Sequence, residues 1–178
     1  MRETGFWTID DLLGPRECAA LIERIETLGP TEAPITTSRG FERRPDLRNN
    51  TRVMFDDVAL ARRLFEAVRA TLPVLAGREA VGANERLRCY RYGPGQYFAP
   101  HVDGAFRRDQ HEGSELTLLV YLNDGFAGGG TWFCDEEHTV QPKAGRALLF
   151  FHGMRHAGNT VTEGVKYVAR SDVMYRSR

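Results

Sequence analysis

The stretch Tyr92-Gly-Pro-Gly-Gln-Tyr-Phe-Ala-Pro-His101-Val-Asp103 constrains the chain more than any other. Its glycines and prolines cut the backbone into short pieces and exclude the interior of a helix. It closes on His-x-Asp, and in an extended segment residues two apart point to the same side, so His101 and Asp103 can reach one point together. Another histidine, His156, stands in Arg155-His-Ala-Gly-Asn159, and a basic residue, Lys166, follows it by ten positions. Two imidazoles and one carboxylate make the donor set of a non-haem Fe(II) site with open coordination positions. The third donor must arrive from a different strand. A cation on a neighbouring strand can then hold the far carboxylate of a dicarboxylic cosubstrate.

His-x-Asp by itself is a weak signal, because so short a motif recurs by chance. The ordered series is stronger: Tyr92, His101, Asp103, then Tyr121-Leu-Asn123, Gly128-Gly-Gly-Thr131, His156 and Lys166. His152 competes with His156 for the third place, but it sits in Phe151-His-Gly153 and reads as a turn histidine. His111 and His138 fall in polar loops and are expected to be exposed.

The segments around these residues are short, apolar and parted by glycine. From residue 87 onward about eight strands follow at close spacing, among them 87–92, 97–103, 116–122, 131–134, 146–151, 154–160 and 165–175, which suggests a sandwich or barrel. The first half reads differently. Gly14-Pro15 opens a helix in which Cys18, Leu21, Ile22, Ile25 and Leu28 recur at helical spacing, and Gly29-Pro30 stops it. Asp56-Asp57 opens another, with Leu60, Leu64, Ala67, Val68 and Leu72 on one face and Pro73 at its end. Residues 36–55 and 104–113 read as polar loops and are the candidates for substrate contact. Residues 74–86 read as a connector.

In the last strand Lys166, Val168, Arg170 and Asp172 alternate onto one face. Cations on an interior face are costly without partners. A bound dicarboxylate would supply one partner, and an Arg170–Asp172 salt bridge would supply another. Tyr121 has the opposite parity to Val120 and Leu122. Its hydroxyl either helps hold the cosubstrate carboxylate or packs in the core with its tip hydrogen-bonded.

Composition narrows the classes further. Lysine plus arginine and aspartate plus glutamate each number 24, so no global field argues for nucleic acid or an anionic membrane, and none is expected as a partner. The local clusters Arg43-Arg44 and Arg107-Arg108 read as solvated loop charges. No secretory leader and no membrane span is expected. Three cysteines without a Cys-x-x-Cys pair argue against a disulfide framework and a zinc ribbon, and they suit a reducing, cytoplasmic setting.

The series Arg91-Tyr-Gly-Pro-Gly-Gln96, His101-Val-Asp103, Tyr121-Leu-Asn123, Gly129-Gly-Thr131 and His156 through Lys166 resembles the Fe(II)- and 2-oxoglutarate-dependent dioxygenases of the prolyl 4-hydroxylase type. The resemblance covers about half the chain, roughly 87–175, and Arg48-Asn-Asn-Thr-Arg52 adds to it more weakly. It implies a mainly β fold with N-terminal helices, a double-stranded β-helix (jelly roll) covered on one face by two or more helices. It implies one unit over 1–178, with 1–86 as helical cover and substrate loop and 87–176 as jelly-roll core. His101, Asp103 and His156 match the iron ligands, and Lys166 matches the partner of the 2-oxoglutarate C5 carboxylate. Tyr121 matches an assisting tyrosine and Tyr92 a pocket-lining one. Arg170 has no assigned family role and stands near the cosubstrate or the substrate. Phe98 occupies the place, three residues before the first ligand, where relatives often carry tyrosine.

The implied chemistry is hydroxylation of an unactivated C–H bond with conversion of 2-oxoglutarate and dioxygen to succinate and CO2, ascorbate serving as reductant. The implied substrate is a prolyl residue in a peptide or protein, with a free amino acid or other small molecule as the alternative. The rivals are a cupin-like jelly-roll binding module and a zinc hydrolase. Neither calls for a lysine at this position.

Overall fold

The computed structural model describes residues 5–37 and 40–177. The elements run β1 (Phe6–Ile9), α1 (Pro15–Leu28), β2 (Thr31–Glu32), β3 (Ile35–Thr37), β4 (Gly40–Glu42), β5 (Thr51–Asp56), α2 (Val58–Val68), a 3-10 turn (Arg69–Thr71), β6 (Arg78–Ala83), β7 (Arg86–Tyr92), β8 (Phe98–His101), β9 (Glu112–Tyr121), β10 (Ala127–Gly128), β11 (Thr131–Phe133), β12 (His138–Val140), β13 (Ala147–Phe151), β14 (His156–Gly158), β15 (Val161–Glu163) and β16 (Lys166–Ser177).

Two sheets carry the architecture. The larger has eight strands in the order β1-β13-β9-β16-β7-β5-β2, with β6 pairing beside β16. The smaller has the order β12-β11-β14-β8. The alternation of side chains separates two cores. On β7, β9, β13 and β16 the residues Leu87, Cys89, Leu116, Leu118, Val120, Leu149 and Ala169 face outward from the sandwich into a core shared with both helices. Their neighbours Tyr90, Tyr92, Tyr121, Leu148, Phe150 and Val168 face inward, where Phe133, Val140 and Val161 meet them. The fold is a jelly roll with its helical cover on one face, as the sequence predicts.

The helices begin and end for local reasons. Pro15 occupies the first turn of α1, and Gly29 closes it in the left-handed conformation at φ 71°. Asp57 caps α2 by accepting from the Leu60 N–H at 2.9 Å. Such a cap contributes about 1 kcal/mol. Each buried aliphatic side chain contributes about 1.5–3 kcal/mol, so Leu21, Ile25, Leu64 and Val68, buried against the sheet, hold the helices in place more than the caps do.

The N-terminal part is more than a cover. β1, β2, β5 and β6 all join the larger sheet, so residues 51–56 are a strand and not loop, and 78–83 are a strand and not a connector. Both carry charged or polar side chains at alternating positions and sit where the sheet is partly solvated, which hides them from an apolar pattern. Of the 36–55 stretch, residues 38 and 39 lie outside the described residues. Residues 47–50 are zipped onto the segment before the first histidine: Ala99 N–H donates to Leu47 O (2.8 Å) and Gln96 Nε2 to Asn49 O (2.9 Å). The 104–113 stretch folds back on β9 through Ser114 N–H to Phe106 O at 2.8 Å. None of the described cysteines forms a disulfide. Among the described residues no helix is long and apolar enough to cross a membrane.

Candidate metal and cosubstrate site

The sheet register brings the two histidines together. β14 pairs with β8 so that His156 lies opposite His101. Asp103 stands two residues beyond His101, just past the end of β8 and not within a strand, and its backbone N–H donates to His152 O at 3.0 Å. The turn after β13 therefore fixes the carboxylate where strand geometry alone was expected to do so. His101 Nε2 lies 3.7 Å from Asp103 Oδ1, and His156 Nε2 lies 3.8 Å from Asp103 Oδ2. The candidate ligand atoms of all three residues lie within 4.8 Å of one another.

Each imidazole is oriented in the same way. His101 Nδ1 meets Ala99 O at 2.8 Å and His156 Nδ1 meets Met154 O at 2.9 Å, in both cases the carbonyl two residues back. A carbonyl only accepts, so Nδ1 carries the proton and Nε2 keeps its lone pair. Burial, and then the other imidazole, pushes His101 down to about 4, and burial likewise lowers His156. Both rings are neutral at neutral pH. Phe98 stacks on His101 at 3.5 Å between ring centroids, so the residue standing in place of the expected tyrosine packs against the ligand ring.

Asp103 is held from both sides. Thr117 Oγ1 donates to Oδ2 at 2.6 Å, and Arg170 Nη1 approaches Oδ1 at 3.0 Å. Burial alone would raise this carboxyl, but Arg170, with His156 and the Thr117 hydroxyl, holds it down at about 2. Behind Thr117, whose one proton goes to Asp103, His152 donates from Nδ1 to Thr117 Oγ1 (3.0 Å), and its Nε2 accepts from the Ser114 hydroxyl at 2.8 Å. His152 is thus buried and tied to the site from behind. Ser114, Thr117 and His152 were missed as site residues, since their link to Asp103 crosses from β9 to the β13–β14 turn. His111 and His138 are exposed, although His138 begins a strand.

Lys166 and Arg170 both face the pocket. Its wall includes Tyr90, Tyr92, Phe98, His101, Asp103, Thr117, Thr131, His156, Lys166 and Arg170. Lys166 starts β16 opposite Tyr92. It is 3% exposed, its Nζ donates to Gly129 O at 2.5 Å, and burial lowers its pKa to about 7. No carboxylate is paired with it among the described residues. Gly128 and Gly129 make this approach possible: both have positive φ, and a Cβ on Gly128 would stand 2.2 Å from Thr160 O. Tyr121 Oη bonds Thr131 Oγ1 at 2.7 Å, and its ring lies 5.6 Å from Lys166 Nζ. Tyr121 sits beneath the ammonium, and Thr131 presents the nearer hydroxyl to the pocket. The side chains of Tyr90, Tyr92, Phe98, Leu119, Phe150 and Val168 form much of the remaining wall. The polar stretches 36–55 and 104–113 contribute no side chain to it among the described residues.

Arg170 bridges two carboxylates, Asp103 and Asp172, each at 3.0 Å, so the salt bridge considered from the sequence is real but shared. Arg88 Nη1 takes the other Asp172 oxygen at 3.0 Å. Burial opposes the Arg170 charge, but Asp103 and Asp172 outweigh it and raise its pKa.

The donor set suits Fe(II): two bare imidazole nitrogens and one anionic oxygen on one side of a pocket, with a buried amine deeper in it. A jelly roll bearing this set has the form of a mononuclear non-haem metal oxygenase. Residues 87–171 match the family described as the 2OG-Fe(II) oxygenase superfamily. Over that segment, just under half of the chain, it is similar to this superfamily, and the curated relatives it matches are prolyl 4-hydroxylases. It is similar to prolyl 4-hydroxylase 1 of Arabidopsis thaliana, 27% identical over 161 residues that cover 80% of this chain and 56% of the plant protein. It is also similar to prolyl 4-hydroxylase subunit alpha-1 of Bos taurus, 31% identical over 105 residues that cover 50% of this chain and 20% of the bovine one. The chain therefore spans little more than half, or less, of these relatives' length. Among solved structures, a Pseudomonas putida prolyl-4-hydroxylase superposes with a TM-score of 0.68 at 21% identity, covering 98% of this chain and 93% of that one. A Trichoplax adhaerens prolyl hydroxylase in complex with a hypoxia inducible factor peptide superposes with a TM-score of 0.73 at 19% identity, covering 96% and 84%. These likenesses establish the fold.

Proposed function

We propose that this protein is a 2-oxoglutarate- and Fe(II)-dependent hydroxylase acting on a prolyl residue of a peptide or protein. One observation carries the reading: the two Nε2 atoms and the carboxylate converge in the same pocket that holds a buried lysine with no carboxylate partner among the described residues. His101, Asp103 and His156 would hold the iron, and Lys166 the C5 carboxylate of 2-oxoglutarate, beside Tyr92, Tyr121 and Thr131. When bound, iron with 2-oxoglutarate and dioxygen supplies the oxidising power for hydroxylating a C–H bond, releasing succinate and CO2, and ascorbate serves as reductant.

The chain's own residues do the positioning. The Ala99 and Met154 carbonyls fix the imidazole tautomers, and Thr117 and Arg170 fix the carboxylate. Lys166 enters the complex as the ammonium, because the anion that it meets repays the cost of charging it in a buried place. Phe98, Phe150 and Val168 keep the pocket wall apolar and limit water. The names of the relatives support a prolyl substrate, and the reduced cysteines suit a cytoplasmic setting. A cupin-like binder or a zinc hydrolase has no use for Lys166 where it stands.

The test is incubation of the purified protein with Fe(II), 2-oxoglutarate, ascorbate and proline-containing peptides in air. The expected result is a mass gain of one oxygen on proline with matching succinate. Oxygen delivered only to a free amino acid, or no succinate with any substrate, contradicts it.

A further inference from the structure

The inward face of the larger sheet continues past the pocket, and it continues in arginine. In antiparallel pairs, residues directly opposite share a face. Arg170 on β16 lines the pocket and pairs with Arg88 on β7, which pairs with Met54 on β5. One row along, Val168 pairs with Tyr90, and Tyr90 pairs with Arg52. Arg88 and Arg52 thus stand one strand outward from pocket-wall residues, in adjacent rows. Met54 is 45% exposed, so this is the side on which the face meets solvent. Arg48 closes the group, with its guanidinium 4.6 Å from the Tyr90 ring and 4.2 Å from the Phe98 ring.

The charges do not balance. Lys166 and Arg170 line the pocket and Arg48, Arg52 and Arg88 flank it, and the carboxylates paired with any of the five among the described residues are Asp103 and Asp172. A divalent metal and a dicarboxylate cosubstrate cancel each other and leave the excess in place. Arg48 is 6% exposed and its Nη2 has no hydrogen-bond partner. Arg52 is half-buried and has no carboxylate partner among the described residues. Its pKa is lowered by burial and, against the pull of Tyr90, by Arg48 and Arg88. Buried or half-buried guanidinium groups are retained where an anion completes them.

We propose that Arg52 and Arg88, backed by Arg48, receive a carboxylate of the substrate, so that this site selects anionic substrates. The inference rests on the oxygenase reading for the place of the substrate, but the carboxylate receptor itself can be tested by binding alone. In a peptide the carboxylate is an aspartate or glutamate beside the target residue. In a small substrate it is the main-chain carboxylate.

The experiment uses the folded protein with zinc in place of Fe(II) and with 2-oxoglutarate present. Fluorescence anisotropy follows labelled proline peptides made as twins, Glu against Gln beside the proline, and competition follows free proline against prolinamide. The expected result is a preference of about tenfold or more for the acid over its amide in one pair, weakened by salt. Arg52→Gln and Arg88→Gln collapse the ratio, and Arg52→Lys keeps it. Preference in the peptide pair assigns the carboxylate to a side chain, and preference in the proline pair assigns it to the main chain. Equal binding of acid and amide in both pairs, unchanged by the arginine substitutions, overturns the proposal. Turnover of 2-oxoglutarate by the Fe(II) protein is scored separately, so a failed oxygenase reading shows there and not in the ratio.

Discussion

Arg170 Nη1 stands 3.0 Å from Asp103 Oδ1, while its Nη2 stands 3.0 Å from Asp172 Oδ1. The carboxylate that faces both imidazoles is therefore also one end of a chain of two aspartates and two arginines, Asp103–Arg170–Asp172–Arg88. Removing one partner of a buried ion pair typically costs about 3–5 kcal/mol, because the other charge is left buried and unpaired. Arg170→Leu is expected to lower unfolding free energy by roughly 3 kcal/mol or more, and Arg170→Lys by less. Urea unfolding at pH 7 checks this. A loss below about 1 kcal/mol, the range of exposed pairs, would mean that Arg170 is not part of the frame.

Thr117 is the hinge between Asp103 and His152. Thr117→Val keeps the volume and removes the hydroxyl that donates at 2.6 Å. Loss of such an outer contact typically lowers metal affinity about 10–100-fold. Anaerobic Fe(II) titration should show that loss in Thr117→Val and not in Thr117→Ser. Equal affinity in all three proteins would remove Thr117 from the site.

Lys166 couples cosubstrate binding to pH. Burial lowers its pKa to about 7, whereas the bound anion needs the ammonium. Below that value the amine is already charged, and affinity for 2-oxoglutarate is flat. Above it, binding must take up a proton, and affinity falls by up to tenfold per pH unit. Calorimetry in buffers of different ionisation enthalpy should detect proton uptake at pH 8 in the metal-loaded protein and none in Lys166→Met. The cosubstrate-free protein behaves oppositely: its unfolded state holds the lysine proton that the folded state has released. Stability is therefore gained as pH rises above about 7, by up to ~1.4 kcal/mol per unit. A pH-independent affinity between 6.5 and 8.5 would contradict the buried amine.

Asp57→Ala removes the cap of α2 and its contact with Arg24 at 2.6 Å, far from the pocket. The expected loss is about 1 kcal/mol of stability, with Fe(II) and 2-oxoglutarate affinities unchanged. A change in either affinity would tie α2 to the site.

The central strands announced themselves. Lys166, Val168, Arg170 and Asp172 share a face because β16 is a strand, and its place between β9 and β7 makes that face interior. Tyr121 was legible in the same way. Arg52 and Arg88 were not, because β5 reads as a polar run and its pairing with β7 is a long-range fact. The arginine pairs that stand out in the sequence, Arg43-Arg44 and Arg107-Arg108, are not the arginines that stand one strand outward from the pocket wall. His152 read as a turn residue, and it does lie in a turn; only the fold shows that the turn delivers it to Thr117. Asp103 does stand beside the two histidines, but the turn carbonyl of His152, and not the strand, fixes its backbone.

The most direct test is anaerobic titration of the apoprotein with Fe(II) and then 2-oxoglutarate, followed in the visible region for the metal-to-ligand charge-transfer band. The band should need both additions, vanish in Asp103→Ala, and require more 2-oxoglutarate in Lys166→Met. Metal binding without any band on addition of 2-oxoglutarate would contradict the oxygenase reading and leave a metal-binding jelly roll of another kind.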